Sequence, residues 1–362
     1  FNMAIVWMDG FNKYGGIALS DYSVTTSTQS SSYSGRYDGF SVGINDYNSS
    51  EVNRVGYGLH KNITGTTTLS VGIAVSRLGD GGSYPYLMTL PARPFIMVYN
   101  GAPSQANMIA GCSIYGTSAT THFGAIQNRS GSVATSGQLP VFNLSNWNYL
   151  EFEVETGTTT GQARLYLNGQ LILSTTAANF SNSSNATSIT GVGILPSDYT
   201  NRTVYADDYY ITNTTTRLGE IHISTLRPSA DTVQKEWTPS TGTSNASLLT
   251  NDNYGVVSSY VTTTSANKKD IYDVQDLGAT LNTSTILATK VNGIGYKNSF
   301  GPSNVNLVMK SNTTEVNGTG VDLYEGSTGI TKIPSIMSEV DPATSTAWTT
   351  SSVNNIQIGI RS

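Results

Sequence analysis

No apolar stripe of helical period runs through this chain. Nowhere in its 362 residues do apolar positions recur at i, i+3, i+4 and i+7 over a dozen positions, the pattern an amphipathic helix needs to bury one face. Short apolar or alternating runs recur instead, bounded by clusters of Gly, Asn, Ser and Thr, at 40–44, 68–75, 95–99, 149–155, 163–167, 170–173 and 205–211. Thr and Val are stiff at χ1 and fit a pleated strand better than a helix. The pattern predicts an all-β chain of many short strands. At ~100–200 residues per domain, two or three domains fit the length. A break is expected near 213–217 (NTTTR), with the second half restarting at the alternating Ile221 and Ile223. The expected architecture is two β-sandwich domains in tandem, 1–213 and a smaller 214–362, each of two packed sheets. No repeat of 20–50 residues, heptad or G-X-Y period suggests a solenoid, propeller or fibre shaft.

Local signals sharpen parts of this. Leu165, Leu167, Leu171 and Leu173 alternate around Asn168-Gly169, a pair that favours a two-residue type I′ hairpin because both residues tolerate positive φ. Just upstream, Leu150, Phe152 and Val154 alternate with Glu151, Glu153 and Glu155, so the apolar set and the carboxylates face opposite ways. The polar stretches 179–187 and 238–247 read as surface loops. Residues 348–360 alternate well enough to form a final core strand.

Composition excludes several functions. Charged residues make up 12% of the chain and the net charge is −5, which leaves no basic surface for nucleic acid. No segment reaches the ~20 apolar residues of a membrane-spanning helix, and residues 1–8 lack the basic flank and long apolar run of a signal peptide. The single Cys112 rules out an internal disulfide, and His60, His122 and His222 lie too far apart in sequence for a metal motif. There is no G-x-S-x-G elbow, P-loop or strand-linked G-x-G-x-x-G. The Asn-x-Ser/Thr sequons follow by chance from a composition rich in those residues.

Three stretches of the first half, GRYDGFSVG (35–43), WNYLEFEVETGTTTGQARLYLNGQLIL (147–173) and YADDYYI (205–211), resemble the concanavalin-like or laminin-G-like jelly roll. A narrower resemblance covers almost the whole chain. WMDGFNKYG (7–15), LGEIHISTLRPSADTVQKEWTPSTG (218–242) and DPATSTAWTTSSVNNIQIGIRS (341–362) look like a family of structural proteins of tailed-bacteriophage virions. Asn12 stands where that pattern would have Asp, and Asp38 where it would have Gly. The resemblance implies a virion component, assembled in the cytoplasm of the bacterial host, that works by binding and not by catalysis. The absence of a shaft suits a capsid decoration or cement protein displaying a lectin-like surface. The alternatives are a tail-associated adhesin for host surface glycans and, behind it, a glycoside hydrolase. Implied partners are the major capsid protein or tail proteins, further copies of the chain as a homo-oligomer (a trimer is the expectation) and a host glycan, with no nucleic acid and no membrane.

Several side chains are candidates for a site. Tyr84, Tyr86, Tyr209 and Tyr210 have the amphipathic rings that suit a sugar or protein surface, although Tyr209 and Tyr210 must face opposite ways on one strand. Asp207, Asp208 and Asp80 could supply oxygen ligands to calcium, without the D-x-D-x-D-G loop of a dedicated site. Glu151 and Glu155 do not match the geometry of a retaining hydrolase. Its carboxyl pair stands ~5–5.5 Å apart, whereas i and i+4 on a strand are separated by about four rises of 3.3 Å. The expected role of the three glutamates is an exposed acidic strand face.

Overall fold

A computed structural model describes residues 4–12, 22–25, 33–37, 39–45, 58–76, 94–118, 121–139, 146–195, 203–250, 259–298, 303–324 and 330–362. The protein is all-β, and its chain divides into two compact units, Phe1–Ser224 and Thr225–Ser362. The sequence places the division near 213, and the structure moves it later. Residues 214–224 form no strand; they run along the first unit and hydrogen-bond to it.

The described strands of the first unit are β1 (Ile5–Asp9), β2 (Ser23–Thr25), β3 (Tyr33–Ser34), β4 (Phe40–Asn45), β5 (Gly58–Thr66), β6 (Thr68–Ser76), β7 (Ile96–Tyr99), β8 (Met108–Ser118), β9 (Thr121–Asn128), β10 (Gly131–Gln138), β11 (Asn148–Glu155), β12 (Gly157–Leu167), β13 (Gln170–Phe180), β14 (Ile189–Ile194) and β15 (Thr203–Thr212). They form an eight-stranded sheet, ordered β13-β12-β11-β6-β15-β4-β3 with β1 also on β15, and a seven-stranded sheet, ordered β10-β9-β8-β7-β14-β5-β2. All pairs are antiparallel, and most spatial neighbours are distant in sequence, as in a jelly-roll sandwich.

The core lies between these sheets. Val71, Ile73 and Val75 of β6, Leu150, Phe152 and Val154 of β11 and Leu165 of β12 meet Val98, Cys112, Ile126, Val192 and Ile194 from the other side. The hairpin expected at Asn168-Gly169 joins β12 to β13, with φ of +48° and +79° at the two turn residues. Asn168 does a second job there, its Oδ1 accepting the Tyr149 N–H at 2.7 Å. At the start of the chain Asp9 is a buried fastening: it accepts from the Phe11 N–H at 3.0 Å and the Tyr22 hydroxyl at 3.1 Å, and Tyr22 in turn accepts from Trp7 Nε1. Asn12 Oδ1 accepts the Phe40 N–H.

The second unit contains β16 (Pro228–Lys235), β17 (Thr238–Pro239), β18 (Val261–Thr262), β19 (Lys269–Val274), β20 (Thr289–Gly295), β21 (Asn304–Ser311), β22 (Thr314–Asn317), β23 (Val321–Asp322), β24 (Thr331–Ser338), β25 (Val340–Asp341), β26 (Thr346–Ala347), the helix α1 (Thr350–Asn354) and β27 (Ile356–Arg361). Among the described residues a six-stranded sheet, β16-β19-β27-β21-β22 with β23 on β21, is accompanied by the ribbon β20-β24. Val291, Ile333 and Ile336 of the ribbon pack with Val274, Leu307, Met309 and Ile356 of the sheet and with Trp348 and Val353. The strand expected over 348–360 is interrupted. Trp348 is buried, its Nε1–H donating to Ser338 O at 3.0 Å, and the reciprocal Thr349/Ser352 capping box starts one helical turn before β27 enters the centre of the sheet.

Candidate functional site

The glutamates of β11 point away from the core, as their alternation requires, but the expected exposed acidic face is corrected. Glu151 has no exposed surface and Glu153 is 6% exposed. Residues 214–224 cover this outer face of the eight-stranded sheet. The Glu151 carboxylate receives the Tyr210 hydroxyl at 2.7 Å, the Gly219 N–H at 2.8 Å and Arg217 Nη1 at 2.7 Å. Leu218 and Ile221 pack on Ala74, Tyr149 and Tyr210. Glu153 Oε2 is 3.3 Å from Arg164 Nη1 and from the Tyr166 hydroxyl. Glu155, at the strand end, is exposed.

The sequence-proposed site residues do not converge. Asp80, Tyr84 and Tyr86 lie outside the described residues. Tyr209 and Tyr210 face opposite ways: Tyr209 belongs to the sandwich core, while Tyr210 lies under the 214–224 segment, and both rings are fully buried. Burial pushes both phenols upward, reinforced at Tyr209 by Tyr99 and Asp9 and at Tyr210 by the neighbouring Glu151 carboxylate. A sugar-binding surface therefore cannot use either ring. Asp207 and Asp208 are also buried and occupied. Asp207 accepts the Arg36 N–H at 2.8 Å and the Asp208 N–H at 2.8 Å. Asp208 accepts the Ile223 N–H at 2.7 Å and Arg36 Nη1 at 3.4 Å. Burial raises the Asp208 carboxyl above its ordinary range, against the opposing pull of the Ile223 N–H and Arg36. A cation here would have to displace a guanidinium and several backbone donors, and the described residues contain no group of three or more His, Cys, Asp or Glu placed to hold a metal.

Asp208 owes this position to a bulge. Asp207 pairs with Ala74 and Tyr210 with Gly72, so β15 carries one residue more than β6 at this point, and Asp208 takes a φ of +48°. Gly72 is needed beneath it, since a Cβ there would run into the Tyr210 ring.

The outer face of the seven-stranded sheet carries a different set. Alternation with the core residues Leu59, Val98, Cys112, Ile126 and Val192 puts His60, Tyr99, Ser113, Gln127 and the glycines 191 and 193 on this side. The Tyr99 ring lies over Gly191 and the His60 ring over Gly193, and a Cβ at either glycine would collide with the ring above it. The two rings meet edge to face at 5.6 Å. Gln127 Nε2 donates to Ser113 Oγ at 3.0 Å. Tyr99 Oη and Gln127 Oε1 are buried and have no hydrogen-bond partner among the described residues, an arrangement that leaves one hydroxyl and one carbonyl to be satisfied by something else. Farther along, the cross-strand neighbours Tyr115 and Phe123 stack with centroids 5.4 Å apart. Sequence reasoning passed over Ser113 and Gln127 and weighed His60 only as a metal ligand. Their only signal is position: each alternates with a core residue, and two of the facing positions are glycines.

No protein-family model matches the chain, and no curated protein does. Solved structures do. The alginate lyase Aly36B, in complex with alginate trisaccharide, is 15% identical over 60% of this chain and 100% of its own, with a TM-score of 0.41. The endo-β-1,4-glucuronan lyase of the fungus Trichoderma reesei is 12% identical over 54% of this chain and 92% of its own, with a TM-score of 0.38. The endo-1,3-β-glucanase of Streptomyces sioyaensis is 13% identical over 58% of this chain and 95% of its own, at 0.33. At these identities the likeness is one of fold, a β-sandwich. It corrects the expectation of a protein without catalytic activity, because enzymes that act on polysaccharides are among the structures the chain is similar to.

Proposed function

We propose that the protein is a structural component of a tailed-phage particle, a decoration protein of the head, and that its first unit turns the outer face of the seven-stranded sheet towards a glycan. The observation that carries the virion reading is where the phage-like stretches fall. Trp7 and Asp9 fasten the first strand, Gly219 and Ile223 tie residues 214–224 to the eight-stranded sheet, and Asp231 and Trp348 anchor the second unit. The resemblance therefore rests on the framework of both units, in chain order, and not on one loop. The glycan reading is supported by the stacked Tyr115 and Phe123 rings, which are partly exposed. The partners are then the major capsid protein and further copies of this chain.

Immunogold electron microscopy of purified virions with an antibody to the second unit tests the location. Label over the head is the expected result. Label confined to the tail refutes decoration and leaves a glycan-binding adhesin, and absence of the protein from particles by mass spectrometry refutes both. Incubation of the protein with host surface polysaccharide, read for retention and for released sugar, tests the glycan reading in either location.

A further inference from the structure

In the second unit, five hydroxyl side chains of the stretch 341–355 line a cleft of about 300 Å³. The hairpin β25–β26 forms one wall, the turn at Thr349 and helix α1 a second, and the β21–β22 turn at Asn312 a third. The chemistry of this cleft is one-sided. It has no lysine, arginine or histidine, no aromatic ring, and Ala347 as its single aliphatic side chain. Its only charge is Asp341, 4% exposed. Oδ1 of that carboxylate accepts the Ala343 N–H at 2.9 Å, and no ion pair involves Asp341 among the described residues. Of the remaining groups, Thr344, Thr346, Thr349 and Ser352 bond within their own turns, while the Ser311 and Ser351 hydroxyls and the Asn312 amide have no hydrogen bond among the described residues.

We infer that this cleft is a binding site for a single neutral sugar unit, separate from the face proposed above. A pocket of this volume stands at the lower end of small-ligand sites. An anion would meet a buried carboxylate with no cation to balance it. A divalent metal asks for more carboxylate oxygens than one residue supplies. An apolar ligand would strip water from hydroxyls and return nothing. A pyranose answers each group: one hydroxyl donates to the free oxygen of Asp341, and others exchange donor and acceptor roles with Asn312, Ser311 and Ser351. The half-open cleft suits an end unit or side branch of a glycan rather than the middle of a chain.

The test is binding to the full-length protein, measured by calorimetry or saturation-transfer NMR with glucose, galactose, mannose, rhamnose and N-acetylglucosamine, and with glucuronate as the anionic control. At least one neutral sugar is expected to bind at millimolar concentration, and glucuronate at least tenfold more weakly. Asp341→Asn keeps the acceptor for Ala343 and removes the charge; Asn312→Gly keeps the turn, whose φ is +52°, and removes the amide. Each should weaken the neutral sugar about tenfold, as loss of one hydrogen bond to a fixed group does, with the circular dichroism and the urea midpoint unchanged for Asn312→Gly. No binding by any of the five neutral sugars at 50 mM (roughly the weak limit for such ligands) overturns the inference. Binding that both variants leave intact overturns it as well, because the sugar then sits elsewhere.

Discussion

Replacing Glu151 by alanine should free residues 214–224 from the eight-stranded sheet while the sandwich core stays folded. The carboxylate is fully buried and accepts from Tyr210, Gly219 and Arg217 at 2.7, 2.8 and 2.7 Å. Alanine leaves the Tyr210 hydroxyl and the Gly219 N–H without an acceptor, at about 1–3 kcal/mol each. The Arg217 side chain is 31% exposed and recovers water, so its share is smaller. The sum is about 3–5 kcal/mol, the range for breaking a buried pair by removing one partner. Glu151→Gln keeps an acceptor for Tyr210 and Gly219 and loses only the charge facing Arg217, at about half that cost. Limited trypsin digestion of the full chain reads the effect directly. The bond after Arg217 is held in the native protein by the ties on either side of it. The alanine variant should yield a fragment ending at Arg217, identified by mass, at protease levels that leave the parent intact. Urea unfolding should show a lowered first-unit transition. Equal cleavage rates, or a shift below about 1 kcal/mol, would refute the reasoning: Leu218 and Ile221 would then hold the segment by packing alone.

Other perturbations give equally definite outcomes. Gly72→Ala drives a Cβ into the Tyr210 ring and should cost about 1–3 kcal/mol of first-unit stability by overpacking, measured by urea titration; a neutral result would mean the ring can move aside. In the second unit Asp270, fully buried, accepts from the Glu236 and Trp237 N–H groups, the Asn245 amide and the Tyr272 hydroxyl. Asp270→Ala should cost about 3 kcal/mol or more, and a thermal midpoint within 2 °C of the parent (about the shift from 0.5 kcal/mol) would show that these donors find other partners. Acid sensitivity can be assigned to Asp231. Burial acts against its charge, but Lys235 at 2.8 Å and the Ala246 and Asn245 N–H groups outweigh that and hold its carboxyl below the ordinary range. A depressed folded-state pKa stabilises above the unfolded value and stops doing so as pH falls through the folded one. The second-unit urea midpoint should therefore drop below about pH 4, and Asp231→Asn should flatten that drop; an unchanged slope would place the sensitivity elsewhere.

What the sequence made legible is what short-range physics decides. The Asn168-Gly169 turn needs two residues at positive φ, and only a few residue types supply them. The sidedness of β11, and of Tyr209 against Tyr210, follows from a period of two whatever lies above the sheet. What period two cannot say is which face receives a cover. Glu151 looks like a solvated acid because its partners Tyr210, Arg217 and Gly219 stand some sixty residues along the chain, and nothing local to β11 encodes their arrival. The polar stretch 238–247 is largely exposed, as its composition suggests, yet one of its residues hides a pairing of the same long-range kind. Asn245 is fully buried there, because Trp237 O and Asp270 recruit its amide across the unit.

The two outer faces of the first unit also show why composition was a poor guide to the site. Tyrosines were the obvious sugar-binding candidates, yet Tyr149, Tyr209 and Tyr210 serve the packing of the sandwich and its cover. Each hydroxyl near the cover is tied inward, Tyr149 to Asp208 O at 3.0 Å and Tyr210 to Glu151 at 2.7 Å. A ligand needs the opposite condition, a polar atom whose bond is still to be made. Among the described residues that condition is met within a cleft at the free oxygen of Asp341 and the amide of Asn312 in the second unit. A hydrogen bond already made within the fold contributes to stability, and breaking it for a ligand returns little net free energy. Unspent hydrogen-bonding capacity that opens onto a cleft, which depends on long-range pairing and not on residue type, is therefore the better marker of where this protein meets something else.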